Sequence, residues 1–431
     1  MKRRHFLRHS ALVGCAPLVL PSRVLSEPSK KLNLAGIGVG GMGGGYLRAV
    51  ESENIVALCD VDKNFAAKPF ARYPKAKRYT DYRVMLEKEK HIDGIVIGTP
   101  DHWHAPIALA ALALKKPVYC AKPLTHTVWE ARILTEAAAN AGVATQMSVQ
   151  ANANEEHRLI AEWISAGLIG KVTEVHTWSN RPIWPQGIDR PKDGPSAPET
   201  LDWNLWLGPA PERPYHPAYH PFKWRGFWDF GCGALGDMGC HHFDPIFRAL
   251  KFTAPTSVEG ESVGSNDESA PTKATIIYQF PARDELPPVK VVWYDGGRKP
   301  ERPVELEPGR RMDSTYGGTL YIGDKGKILT GGLGENPRII PEAKMKEATL
   351  PDKTLTRSPG HYKEWILAAK GGLAPGAEFA YGGPVTEAVL LGNVAIRADE
   401  KFTWDAPKLE TSSAEANSYL SKEYRNGFEI S

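Results

Sequence analysis

Apolar positions in the first third of the chain fall in short runs of strand length. Leu32, Leu34, Ala35 and Ile37 lead into Gly38, and further runs occupy residues 55–59, 92–98, 118–120 and 144–149. Between the later runs the spacing becomes helical. An alanine and leucine segment fills 105–114, and 127–142 opens on a Thr127/Glu130 capping box and closes at Gly142. Strands alternating with helices predict an α/β domain built on a doubly wound parallel sheet over 31–150. Beyond residue 171 the runs at 172–176, 274–280, 289–294, 319–322 and 327–329 are joined by turns rather than helices. That pattern predicts an α+β domain over 151–405 with an open, mainly antiparallel sheet. Helices return at 361–369 and 386–398, the second expected to pack back on the first domain, and 406–431 reads as a C-terminal tail.

The first strand-to-helix turn carries chemistry. Gly38, Gly40 and Gly43 follow the strand at GxGxxG spacing, and Asp60 ends the second apolar run. Gly38 permits a tight turn, Gly40 lets a pyrophosphate approach the backbone, and Gly43 lets the helix pack close with its first N–H groups toward the anion. A carboxylate at Asp60 can accept ribose hydroxyls and would repel a 2′-phosphate, so the expected cofactor is NAD rather than NADP. Residues 31–150 then read as a Rossmann domain. The loop Thr99-Pro100-Asp101-His102-Trp103-His104 lies past the end of a strand, where such sheets bind ligands, which adds Thr99, Pro100 and His104 to the nucleotide contacts.

Two more motifs suggest a reaction. Lys122 and Pro123 stand in Ala121-Lys122-Pro123-Leu124-Thr125-His126, and Asp237 and His241 lie four apart in the small-residue stretch 231–244. On a helix that spacing puts both side chains on one face, where they can meet one substrate oxygen. Oxidising a secondary alcohol requires a base for the hydroxyl proton, a task histidine suits. Over 31–405 the chain resembles the Gfo/Idh/MocA family, the glucose-fructose oxidoreductase and inositol dehydrogenase group. The resemblance implies that Lys122 reaches a substrate hydroxyl near the nicotinamide, so that it also counts as a cofactor contact, and that Asp237 and His241 are catalytic. Ala121 departs from the Glu-Lys-Pro usual in the family, which leaves the lysine's orientation and charge partner open. His241 is the expected general base, and His104, His126, Tyr294 and His361 are the reserve candidates. His242 reads more readily as a core histidine but stays among the substrate contacts. Adjacent residues such as Cys240, His241, His242 and Asp244 rarely point at one ion, so no metal is expected.

Six tryptophans, at 178, 184, 203, 206, 224 and 228, fall within 51 residues in and around a proline-rich excursion over 181–221, interleaved with Arg181, Gln186 and His220. Aromatic faces beside polar forks suit a carbohydrate, and Trp184, Arg181 and Trp228 are the expected substrate contacts. The same rings could instead serve only to pin a long loop.

Residues 1–30 read as an export signal: Arg3 and Arg4 precede Phe6, Leu7 and a short apolar stretch, and Cys15 sits in a box resembling a lipoprotein cleavage site. The expected location is periplasmic, by the twin-arginine route, with a possible lipid anchor. That segment holds six Lys or Arg against one acid, leaving 47 basic and 49 acidic residues beyond it, so nothing points to nucleic acid as a partner. No later run is long enough for a membrane span. Cys59 and Cys120 sit in strands as free thiols, and a Cys232–Cys240 disulfide is a lesser possibility. An enzyme exported with its nucleotide should hold it tightly and regenerate it within each cycle. The expected function is an NAD-dependent oxidoreductase acting on a sugar, polyol or sugar derivative, forming a homo-oligomer through the second sheet. One alternative is a glycoside-cleaving enzyme that oxidises, eliminates and re-reduces. A non-catalytic NAD-binding sugar sensor is the other.

Overall fold

The computed structural model describes residues 30–430; the twin arginines and Cys15 lie outside the described residues. The first domain is a six-stranded parallel sheet made of β1 (Asn33–Ile37), β2 (Asn54–Cys59), β3 (Lys77–Tyr79), β4 (Gly94–Ile97), β5 (Val118–Cys120) and β6 (Thr145–Met147). Its order is β3-β2-β1-β4-β5-β6. The chain reverses direction across the sheet between β1 and β4, which opens a crevice at their carboxyl ends, where the Gly38 and Thr99 loops lie. Strands β4, β5 and β6 are buried along their whole length, as a sheet covered by helices on both faces requires.

The second sheet has nine strands: β7 (Val172–Trp178), β8 (Ser257–Val263), β9 (Lys273–Phe280), β10 (Val289–Tyr294), β11 (Gly318–Gly323), β12 (Lys327–Gly331), β13 (Arg338–Ile340), β14 (Phe402–Asp405) and β15 (Glu410–Thr411). All neighbours pair antiparallel except β7 with β10. Helices Glu155–Ser165, Gly233–Leu250 and Phe379–Ala398 cover one face. Leu306 and Met312, from the connection before β11, cover part of the other against Trp178 and Leu320.

Helix Phe379–Ala398 also packs on helix Val128–Ala141 of the first domain, where Arg132 grips Glu387 at 2.9 Å. The largest hydrophobic cluster therefore runs through both domains, while Leu34, Tyr46, Leu47 and Trp365 belong to a separate one in the first. The last residues are more than a loose tail. Trp129 N–H donates to the Leu420 carbonyl at 2.9 Å, Lys422 pairs with Glu130 at 2.9 Å, and Arg425 Nε donates to the Gly208 carbonyl at 2.8 Å. The C-terminal segment thus ties the first domain to the excursion that follows β7.

Candidate active site

A cleft of about 590 Å³ runs from the glycine turn to the helix Gly233–Leu250, a volume in the range of small-molecule and cofactor sites. At one end, Gly38 adopts φ +69° and a side chain there would strike Thr99. A Cβ on Gly43 would run into the Gly38 carbonyl oxygen, so this glycine is required for the close turn-to-helix packing and does not itself line the cleft. Helix Gly41–Ala49 starts without a side-chain cap, leaving its first N–H groups available to an anion. Asp60 Oδ2 accepts from the Val39 and Gly40 N–H groups at 2.8 and 3.0 Å, and Oδ1 from Asp62 N–H at 2.9 Å. The carboxylate thereby braces the turn while still lining the cleft. Burial pushes its pKa up, against those three hydrogen bonds. Thr99 Oγ1 is buried without a partner beside the turn. An uncapped helix start, an orphaned hydroxyl and a cradle that a Cβ would fill all fit a dinucleotide.

At the other end, Lys122 leaves β5 and donates to Asp237 Oδ1 at 2.6 Å and to the Asp237 main-chain carbonyl at 2.5 Å. Asp237 and His241 occupy one face of the helix Gly233–Leu250 and both line the cleft. Small residues allow that helix to lie close to its neighbours: a Cβ on Gly239 would crowd Val389 of helix Phe379–Ala398. Arg225 Nε, 3.3 Å from Oδ1, and Arg181 Nε, 3.5 Å from Oδ2, complete a ring of cations around Asp237. Burial pushes the Asp237 carboxyl up, but Lys122, Arg225 and Arg181 together outweigh it and hold the group well below the ordinary carboxylate range. Burial, then the Lys122 charge, lowers His241 to about 3. Its Nδ1 is buried without a partner, and no protein group among the described residues bonds either ring nitrogen.

The remaining candidates separate. Pro100 lines the cleft, while His104 lies behind it, bonding the Pro123 carbonyl at 2.7 Å and the Thr99 carbonyl at 3.0 Å; it braces the two loops instead of touching a ligand. His242 is fully buried under the second sheet, with Nδ1 2.7 Å from Thr177 Oγ1, and does not reach the cleft. Trp228 faces a different cavity and donates to the Asn266 carbonyl at 3.0 Å. Trp184 is buried, bonds Gln186 at 2.9 Å and supports Arg225 from behind. These two tryptophans are packing residues, because their indole N–H groups and faces are spent within the protein. Of the reserve bases, His126, Tyr294 and His361 also lie off the cleft. Cys232 and Cys240 are buried free thiols rather than a disulfide. Among the described residues no cluster of three or more His, Cys, Asp or Glu is placed to hold a metal.

Most of the excursion's aromatics form a satellite core of Trp206, Tyr219, Trp224, Phe227 and Phe230. That core crosses back over the first domain. Lys63 N–H donates to the Thr200 carbonyl, Asp202 N–H donates to the Val61 carbonyl, and His220 Nε2 lies 2.7 Å from Asp62 Oδ2. The His220 ring meets Phe65 edge-on at 5.6 Å, and Phe65 covers Gly40. Arg225, Phe65 and the His220–Asp62 pair had no sequence signal, since each depends on this long-range crossing.

The fold has its counterpart among known proteins. Residues 32–149 match the Gfo/Idh/MocA model described as oxidoreductase family, NAD-binding Rossmann fold, and 162–285 match that described as oxidoreductase family, C-terminal alpha/beta domain. Together these matches cover more than half of the chain, which belongs to the Gfo/Idh/MocA oxidoreductase family and carries its NAD-binding domain. It is 28% identical over 155 residues to an inositol 2-dehydrogenase of Rubrobacter xylanophilus, covering 35% of this chain and 44% of that protein. It is 34% identical over 133 residues to a glycosyl hydrolase family 109 protein of Stenotrophomonas maltophilia, covering 28% and 29%. The chain thus spans less than half the length of the curated relatives it matches first. Among solved structures, the fold is similar to the WlbA dehydrogenase of Chromobacterium violaceum in complex with NADH and UDP-GlcNAcA. That match has a TM-score of 0.63 and 15% identity, covering 88% of this chain and 97% of the other.

Proposed function

We propose that this chain is an NAD-dependent oxidoreductase acting on a secondary alcohol of a sugar, polyol or sugar derivative. The observation that carries the reading is the meeting of Lys122, Asp237 and His241 at one end of a cleft whose other end is the glycine turn. NAD, when bound, supplies the hydride acceptor; Gly38, Gly40, Asp60 and Thr99 would hold it. His241 is neutral at working pH because burial disfavours its charged form. With Nδ1 shut away, Nε2 is the atom that takes the hydroxyl proton. Lys122 orients the reacting oxygen and offsets the negative charge that develops on it, and Asp237 fixes Lys122.

The likeness to a glycosyl hydrolase family 109 protein favours a second reading, in which oxidation is transient and leads to cleavage of a glycosidic bond. Both readings suit a nucleotide that stays bound, and the excursion lying over the Asp62 loop supports retention. We further infer export from the Arg3–Arg4 segment, and association of copies through the second sheet. The two activities separate when purified protein is incubated with glycosides and no added acceptor. A stable keto-sugar supports oxidation. Released aglycone with solvent deuterium on the sugar carbon supports cleavage, and neither product would refute both.

A further inference from the structure

The alcohol-binding end of the cleft holds more positive charge than one carboxylate can balance. Lys122, Arg181 and Arg225 converge on Asp237. The next acid on that wall, Asp101, is turned toward the Cys232 N–H at 3.1 Å. Even with Asp101 ionised, a positive charge is left over. These cations are not freely solvated: their side chains keep 14, 15 and 21% exposure. Removing a charge from water without a full counter-charge is costly, and an arriving anion relieves that cost.

Both arginines also have donors to spare. A guanidinium presents five N–H donors. Among the described residues, one on Arg225 has a protein acceptor (Nε to Asp237 Oδ1) and one on Arg181 does (Nη1 to Asn180 Oδ1, 2.6 Å). Arg181 Nε is buried without a hydrogen bond. Arg225 is held by its faces instead of its edges, with the rings of Trp224, Phe222 and Trp184 centred 4.2, 5.2 and 6.0 Å away. Such stacking fixes the plane of the group and leaves its edge free to take two oxygens of an oxyanion.

We propose that the substrate is an anionic sugar or polyol, whose carboxylate or phosphate is bound by Arg225 and Arg181 while Lys122 and His241 engage the reacting hydroxyl. This rests on the oxidoreductase reading above and adds the charge of the substrate to it. The stack of aromatic rings behind Arg225 then serves to present a cation, which accounts for tryptophans that do not themselves face the sugar.

The test uses the protein with its nucleotide bound and three probes of matched ring: glucose, glucuronate and glucose 6-phosphate. Calorimetry gives affinity, and absorbance of the reduced nicotinamide gives the extent of a single turnover. The expected result is that one charged probe binds about tenfold or more tighter than glucose, the scale of a charge-assisted hydrogen bond. Which of the two does so separates a sugar acid from a sugar phosphate. Arg225→Met and Arg181→Gln should erase that difference. Because Arg225→Met removes a packed side chain and can fail to fold, the unmodified protein provides a second reading: rising salt should weaken the charged probe far more than glucose. Equal affinity for charged and neutral probes would overturn the proposal while leaving the oxidoreductase reading standing if glucose reduces the nucleotide. Loss of nucleotide from the arginine variants with no change in probe preference would assign the cations to the pyrophosphate and overturn it too. Failure of every probe to bind or reduce the nucleotide would overturn both.

Discussion

Lys122 Nζ lies 2.6 Å from Asp237 Oδ1 and 2.5 Å from the main-chain carbonyl oxygen of the same residue. The contact joins the end of β5 in the first domain to the helix Gly233–Leu250 in the second, so the catalytic end of the cleft exists only where the two domains meet. It also supplies what Ala121 cannot: without a glutamate beside it, the lysine takes its counter-charge from Asp237. Replacing Lys122 with Met should lower single-turnover reduction of the bound nucleotide by about 10²-fold or more, with the nucleotide itself still retained after gel filtration.

His241→Ala should remove the chemical step by a similar factor, about 10²-fold or more. The pH profile offers a sharper check. With the imidazole lowered to about 3 by burial and then by Lys122, the acid limb of kcat/KM should lie well below the pH near 6.5 expected of an ordinary histidine. A limb at 6.5 that disappears in the variant would show the ring to be solvated.

Acid should destabilise the fold. His102, His241, His242 and His361 are each lowered to about 3, in every case chiefly by burial. The unfolded chain protonates these rings near pH 6.5, so it binds more protons than the folded chain across the window from 6.5 to 3. Stability is therefore fully present above that window and is lost as pH falls through it. Asp295, pushed up to about 6 by burial, works in the opposite sense and offsets about one of the four. Melting temperature measured from pH 7.5 to 4 should fall steadily, and His242→Gln, away from the cleft, should flatten the slope.

The excursion after β7 should govern nucleotide release. His220 bonds Asp62 at 2.7 Å and meets Phe65, which covers Gly40. His220→Ala and Phe65→Ala each remove one closure over the turn, and a part-buried contact of this kind is worth about 1–2 kcal/mol. Chase with labelled NAD should show release roughly tenfold faster in either variant, with the Lys122–Asp237 end unaffected.

Features written in local pattern were legible in the sequence. The turn at Gly38 and its partner Asp60 follow from strand, glycine spacing and strand end, and the shared face of Asp237 and His241 follows from an i, i+4 interval on a helix. Strand β8 carries no such signal, because only Val258 of its seven residues is buried and no apolar run marks it. Arg225 escaped notice because its carboxylate is twelve positions away and is reached only after the excursion folds back. Composition counts aromatic rings and says nothing of where they point, so it does not separate Trp184 and Trp228, which pack inside the protein, from rings that face a ligand. His104 and His242 both stand next to site residues in sequence, yet His104 spends both ring nitrogens on loop carbonyls and His242 is fully buried under the second sheet with Nδ1 on Thr177.

The central claim, that a substrate alcohol meets Lys122, Asp237 and His241 beside a bound nicotinamide, is tested most directly with a sugar deuterated at its carbinol carbons. After one turnover the nucleotide is extracted and its mass measured. Deuterium in the nicotinamide from the wild-type protein, and about a hundredth as much or less from His241→Ala in the same time, is the predicted result. An unlabelled nucleotide alongside consumed sugar, or equal labelling in the variant, would contradict the account.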